Sequence, residues 1–359
     1  MRIAQLAQSH LDIPPHGRGG TEIMIHELTE ELVRRGHEVT LFASGSSKTS
    51  AKLQSVFPRA LYDEPTFSRK IRERYIEQLT SFCYQQAEKF DIIHCHADAD
   101  IKNIFWSPLI NTPVVTTIHD IIKPQTEKFF TDLSFANHYV SISDAQRHSV
   151  PKAPFAKTVY NGIDVNQFTF YPAAGDHVAS LGRITPLKGV HTAIDVARAV
   201  GLPIHVAGKH YSDADLANGM KVGKQVAYWD AEIAPRIDNK GVVFVGEVPH
   251  TKVNEFLGGA KALLFPIELE ESFGLVMIEA MASGTPVIAF RRGAVEEVIV
   301  DGKTGFIVDT PQEMEEALRK IDTIKREDCR RHVENNFSIR HMTDAYEALY
   351  KEIIANKNV

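Results

Sequence analysis

Residues 1–43 read MRIAQLAQSHLDIPPHGRGGTEIMIHELTEELVRRGHEVTLFA, and this stretch contains one complete β-α-β unit. The run 2–7 is short and β-rich, 21–35 carries apolar residues at helical spacing, and 38–43 returns to a strand pattern. Gly36 behind Arg34 and Arg35 has the position of a glycine just past a helix end, with cations in the last turn. Strand, helix and strand in that order predict parallel pairing through a helical crossover.

The alternation continues along the chain. Further strands are expected at 91–95, 113–118, 138–142 and 157–160, with a long helical stretch over 66–89. Residues 161–175, which begin NGID and then carry Pro and Gly without periodicity, read as a hinge. After it the pattern restarts at HVASLGR (177–183), with strands at 203–207, 242–245, 261–265 and 286–289 and helices clearest at 189–200 and 273–282. The fold class is therefore α/β, as two Rossmann-like, doubly wound domains whose strand ends face a central cleft.

A length of 359 residues exceeds what one core normally serves, in agreement with two domains. The composition, 43% hydrophobic and 24% charged, is that of a globular protein. Forty Lys plus Arg against 46 Asp plus Glu, a net charge of −6, argues against a nucleic-acid partner. Cys83, Cys95 and Cys329 show neither a disulfide framework nor a zinc spacing. The chain opens on a strand rather than a leader, and no apolar run reaches membrane-spanning length. A cytoplasmic location with at most peripheral membrane contact is expected, and the sequence carries no signal of oligomeric state.

The chemistry concentrates in PIELEESFGLVMIEAMASGTPVIAF (266–290). Glu271 and Glu279 are separated by seven residues across the start of a helix, and eight residues at helical rise span about 12 Å. Two such carboxylates suit two pairs of hydroxyls, and the amides of Ser272, Phe273, Gly274 and Leu275 between them suit a diphosphate. In GRITPLKG (182–189), Gly182, Arg183 and Lys188 follow the first strand of the second half, where two cations can neutralise a departing diphosphate. His119 ends the PVVTTI strand, and Gly19 and Gly20 let backbone amides approach a ligand or simply turn the chain into Thr21 as a helix cap.

Other motifs weigh less. GRGGTE (17–22) puts Glu22 where a dinucleotide fingerprint needs its third glycine, and Ser44 rather than an acid ends the second strand. Asp98 with Asp100 and Asp213 with Asp215 form short acidic pairs, and His94, His96, Asp98 and Asp100 alternate as a metal site could; a polar loop is the preferred reading. Ser143 with Gln146 reads as a capping box. Arg69, Lys70, Arg72 and Arg74 beside Glu73 and Glu77 read as a solvated helix face.

On these residues the chain resembles glycosyltransferase family 4, retaining enzymes of the GT-B fold. The E-x7-E segment with EAMASGTPVIA, the glycines at 19 and 20, IHD at His119, NGID at 161–164, GRITPLKG and the closing FSIRHMTDAYEALYKEI occur in that family's order. The resemblance implies an acceptor domain over 1–170, a nucleotide-sugar donor domain over 171–340, and a last helix, 341–359, that crosses back to the first domain. It implies that Arg183 and Lys188 hold the diphosphate, that Glu271 contacts the donor sugar and Glu279 the ribose, and that His119 faces the sugar. Val245 and Val248, in VGEV, then hold the base through backbone groups. The implied reaction transfers a hexose-type sugar from a nucleoside diphosphate sugar to a hydroxyl of a small-molecule, glycan or lipid-linked acceptor, with retention and without metal or other cofactor. The alternatives are an epimerase or phosphorylase on the same double fold, or a non-catalytic nucleotide-sugar-binding protein.

Overall fold

The structure is a computed structural model that describes residues 1–17, 19–97, 102–213 and 222–357. The chain divides into two compact units: residues 1–163 with 338–359, and residues 164–337. In the first unit, β1 (Arg2–Leu6), β2 (Glu38–Phe42), β3 (Lys52–Gln54), β4 (Ile92–Ala97), β5 (Val114–Ile118), β6 (His138–Ser141) and β7 (Phe155–Thr158) form one sheet in the order β3-β2-β1-β4-β5-β6-β7. In the second, β8 (Val178–Leu181), β9 (Ile204–Ala207), β10 (Val242–Gly246), β11 (Leu263–Phe265), β12 (Val287–Phe290) and β13 (Gly305–Val308) follow the order β10-β9-β8-β11-β12-β13. Every pairing is parallel. β3 and β13, each at a sheet edge, are not among the strands expected from the sequence.

Each sheet reverses its direction of growth once, between β1 and β4 and between β8 and β11. At such a reversal the helices leave to opposite faces and a crevice opens outside the carboxyl strand ends. Gly19 and Gly20 follow β1, and Arg183, Lys188 and Glu271 follow β8 and β11, at the two reversals; His119 follows β5 and Val245 belongs to the edge strand β10, away from them.

The first helix, Gly20–Arg34, starts one residue before Thr21, behind Gly19 at φ +140°, so Thr21 is not its cap. Gly36 at φ +84° does close it: its N–H donates to Val33 O at 2.9 Å and that of His37 to Leu32 O at 3.2 Å. The helix expected over 66–89 is Arg69–Tyr84, started by Ser68, whose hydroxyl accepts from Ile71 N, with a separate turn at Ala87–Lys89. On it Arg69 and Arg74 pair with Glu73 and Glu77 at the surface, but Arg72 donates to Leu61 O and Glu64 O and is not simply solvated. Of the capping box, Ser143 Oγ does accept from Gln146 N, but Gln146 Oε1 accepts from Ile142 N, one residue ahead of the cap, rather than from Ser143 N.

The last helix, Ile339–Lys357, packs within the first unit. Ile339 N donates to Ile163 O at 2.7 Å, and Arg35 and His37 reach Asp344 and Glu347, each at 2.6 Å. The chain passes between units at 163/164, earlier than the expected 170, because two arginines hold 165–171 to the second unit. Arg330 donates to Val165 O, Phe168 O and Ala282 O, and the buried Arg326 donates to Tyr171 O, Gly258 O, Ala260 O and Thr285 Oγ1 at 2.6–3.0 Å. Replacing Arg326 by Met leaves these acceptors without a donor, and the unfolding free energy of the second unit in urea should fall by on the order of 3 kcal/mol or more. A loss under about 1 kcal/mol would contradict this role.

Candidate functional site

In the second unit the site is assembled by backbone fit. The turn Pro186–Lys188 ends at Gly189, φ +66°, where an added Cβ would lie 1.9 Å from Pro266 O. Only glycine lets the turn after β8 lie flush against the loop after β11. Glu268 N also donates to Leu187 O at 2.9 Å, and the two loops bring Lys188 Nζ to 2.8 Å from Glu271 Oε2.

Glu271 is itself fixed. Its carbonyl accepts from Ala294 N at 2.9 Å, Gly293 N donates to Glu270 Oε2 at 2.6 Å, and a Cβ on Gly293 (φ +55°) would stand 2.2 Å from Glu271 O. The helix starts at Leu275, behind Gly274 at φ +84°, two residues later than expected; Glu271 and Glu279 lie across its start as read, but the first part of the segment is not helical, so the spacing of eight helical rises does not hold. The Phe273 side chain is buried against Phe337, which leaves only its backbone for a ligand. Glu279, on the second turn, is also buried, with His250 Nε2 at 3.6 Å from Oε1.

Around these groups the strand ends meet closely. Gly208 N donates to Gly246 O at 2.8 Å, and a Cβ on Gly208 would lie 1.7 Å from Gly182 O. Val245 is exposed, Val248 is half-buried, and Arg183 is exposed with no hydrogen bond or ion pair to a described residue. The carboxyl edge of this sheet thus combines two cations, two buried carboxylates and the first amides of the Leu275–Ala282 helix. Cations and N–H groups bind anionic oxygen, and carboxylates accept from hydroxyls, so an anion joined to a polyol matches the set. His250, Gly208 and Gly293 were not legible as site residues; their roles come from contacts distant in sequence.

In the first unit His119 follows β5, its N–H donating to Ala97 O at 3.0 Å. It stands at the end of a buried polar chain: His119 Nε2 is 3.0 Å from His96 Nδ1, and His96 Nε2 is 2.7 Å from Gln5 Oε1. His94 meets Tyr350 OH at 2.6 Å and Thr117 Oγ1 at 2.7 Å, and Thr117 meets Tyr346 OH at 2.8 Å. His94 and His96 therefore belong to the interior of β4, under the last helix, rather than to a loop; Asp98, Asp100 and Asp215 lie outside the described residues. Gly19, where a Cβ would lie 2.7 Å from Glu22 Oε2, and Gly20 bring the chain into the first helix.

Two parallel-sheet α/β domains of this topology define a GT-B glycosyltransferase fold. The family model for glycosyl transferases group 1 matches residues 173–338 and that for Glycosyltransferase Family 4 matches 18–167. The chain belongs to glycosyltransferase family 4. A phosphatidyl-myo-inositol mannosyltransferase of Mycobacterium tuberculosis is 25% identical over 342 residues, covering 86% of this chain and 82% of the relative. Among solved structures, a sucrose-phosphate synthase from Thermosynechococcus elongatus superposes with a TM-score of 0.80 at 18% identity, covering 99% and 100% of the two chains. HepE of Anabaena, crystallised with UDP-glucose, superposes at 0.73 with 19% identity and coverage of 99% and 100%. No described helix is long and apolar enough to cross a membrane.

Burial drives the His94 and His96 rings well below the ordinary histidine range and His119 down to about 4. These rings stay neutral in the folded chain while the unfolded chain takes up protons, so stability is whole above about pH 6.5 and falls toward pH 4. Between pH 6 and 5 each ring should contribute a slope of about 1.4 kcal/mol per pH unit. Urea unfolding of the wild type should therefore lose stability more steeply than that of His96→Gln by about that amount; parallel profiles would show that His96 is protonated when folded.

Proposed function

We propose that the protein is a retaining glycosyltransferase that moves a hexose-type sugar from a nucleoside diphosphate sugar to an acceptor hydroxyl without a metal ion. The observation that carries this reading is the Lys188–Glu271 pair, 2.8 Å apart where the sheet of the second unit reverses. A lysine with three donors can keep one on Glu271 while turning the others to phosphate oxygens.

In this reading Arg183 and Lys188 stabilise the departing diphosphate, assisted by the amides of 272–275 and by the backbone at Gly182. Glu271 accepts from hydroxyls of the donor sugar, Glu279 from the ribose, and Val245 and Val248 hold the base through their backbone. His119, Gly19 and Gly20 serve the sugar from the first unit. The acceptor oxygen bonds to the anomeric carbon on the face from which the diphosphate leaves, as the carbon–phosphate-oxygen bond breaks, and a leaving phosphate oxygen takes the acceptor's proton. Two protein cations supply the charge that a divalent ion would otherwise provide.

The names of the relatives support a nucleotide-linked hexose, one having been crystallised with UDP-glucose and another being a mannosyltransferase. They span a phosphatidyl-myo-inositol enzyme and a sucrose-phosphate synthase, in keeping with a small-molecule, glycan or lipid-linked acceptor. The buried cysteines Cys83, Cys95 and Cys329, none of them in a disulfide among the described residues, suit a reducing, cytoplasmic setting.

A thermal-shift panel of UDP-, GDP- and ADP-sugars should single out a stabilising donor. With it, Lys188→Ala and Arg183→Ala should each lower turnover by roughly 10²–10³-fold, and transfer should persist in EDTA. Wild-type turnover in both variants would refute the diphosphate assignment, and a loss in EDTA restored by manganese would refute metal independence. Calorimetry should show Glu279→Gln weakening the sugar-free nucleoside diphosphate by about 1–3 kcal/mol, while Glu271→Gln spares that binding and lowers turnover. The reverse pattern would mean that the donor lies the other way along the Leu275–Ala282 helix.

A further inference from the structure

The capping box at Ser143 and Gln146 does more than start a helix. Gln146 is fully buried, and its Nε2 donates to Ile118 O at 2.9 Å and to Asp120 O at 2.7 Å, the two carbonyls that flank His119. Its Oε1 is occupied by Ile142 N at 2.9 Å, so the orientation of the amide follows from its backbone partners: two carbonyls on the nitrogen, one N–H on the oxygen. One side chain thus clamps both sides of the turn that carries the histidine.

A second buried glutamine acts on the ring. Gln5 on β1 lies opposite His94 in the parallel register, and His96 lies opposite Thr117. Gln5 Oε1 lies 2.7 Å from His96 Nε2, while Gln5 Nε2 makes no hydrogen bond and lies beside the Tyr350 hydroxyl; with the amide so oriented, that His96 nitrogen carries the proton and donates. The neutral His96 then has its lone pair on Nδ1, which can only accept from His119 Nε2, 3.0 Å away. A neutral His119 protonated at Nε2 holds its own lone pair on Nδ1.

We propose that Gln146 and Gln5 are positioning residues for His119: the first fixes its backbone, and the second, through His96, sets its ring as the Nε2–H tautomer with Nδ1 as an acceptor. This rests on the reading that His119 serves the sugar, and it deepens that reading by naming the two residues that hold its backbone and its ring proton. Neutral rings at physiological pH, the result of burial, fit this order.

The experiment needs no ligand. Protein labelled with 15N at histidine, with His119 assigned through its loss in His119→Gln, is examined by long-range proton–nitrogen correlation at pH 7.5. The expected result is protonated-type Nε2 and lone-pair-type Nδ1 for His119 in the wild type. Gln5→Leu should turn this into a mixture of tautomers in a protein that still folds, and Gln5→Glu, which keeps an acceptor for His96, should restore it. Gln146→Leu should leave the Nε2–H tautomer but shift the His119 backbone amide. A His119 protonated at Nδ1 in the wild type, or a tautomer unchanged in Gln5→Leu, overturns the relay; an unmoved amide in Gln146→Leu overturns the clamp. The functional reading is judged separately: wild-type transfer by His119→Ala, with the donor found in the panel, would remove the ring from the reaction whatever its tautomer.

Discussion

Parallel pairing is the constraint from which the rest follows. A parallel strand pair cannot be closed by a tight turn, so each strand is followed by a crossover that returns the chain to the same edge. In both sheets every carboxyl strand end therefore falls on one side, and the loops that leave there are the ones free to carry chemistry. The reversals between β1 and β4 and between β8 and β11 then separate neighbouring loops to opposite faces. Lys188 and Glu271 leave from the two strands that flank the second reversal, which is why residues far apart in sequence form an ion pair.

Glycine makes that convergence possible. At Gly189, Gly208 and Gly293 a Cβ would come within 1.7–2.2 Å of a backbone oxygen of another loop. Loops pressed this closely have few alternative arrangements, so the side chains they carry are held by backbone rather than by other side chains. The Lys188–Glu271 pair is then mutually supporting, since each charge would be poorly solvated without the other.

The first unit uses a different device. A buried parallel strand is ordinarily apolar throughout, yet β4 places His94 and His96 in the interior, and Gln5 and Thr117 join them from β1 and β5. The last helix covers this stripe with Tyr346 and Tyr350, whose hydroxyls complete hydrogen bonds to Thr117 and His94. Buried hydrogen-bonded groups specify a unique arrangement more strictly than apolar packing does, and of the side chains named here Gln5 alone keeps a polar atom, Nε2, without a partner. The last helix thereby becomes part of the interior that supports His119.

The α/β class, the strand-helix order and most elements were legible because period-2 and period-3.6 patterns and glycine stops are local properties of the chain. Glu271, Arg183, Lys188 and His119 could be marked as candidates because they stand on loops that follow strands, and Glu279 because it follows on the helix behind one of those loops. What the sequence could not express was anything decided by contact between distant segments. The helix after Glu271 begins at Leu275 rather than at 273 because Gly274 takes a left-handed turn and the loop after β12 holds the segment there. His250 joins Glu279 only because the helix after β10 packs against the one after β11. Arg326 and Arg330 move the domain boundary through carbonyls that no motif marks. His94 and His96, which alternate as a metal site would, are turned inward by the sheet and covered by a helix some 250 residues later in the chain. Local periodicity determined which elements this protein has; close backbone approach and buried hydrogen bonds, which exist only once the sheets are assembled, decided which side chains meet.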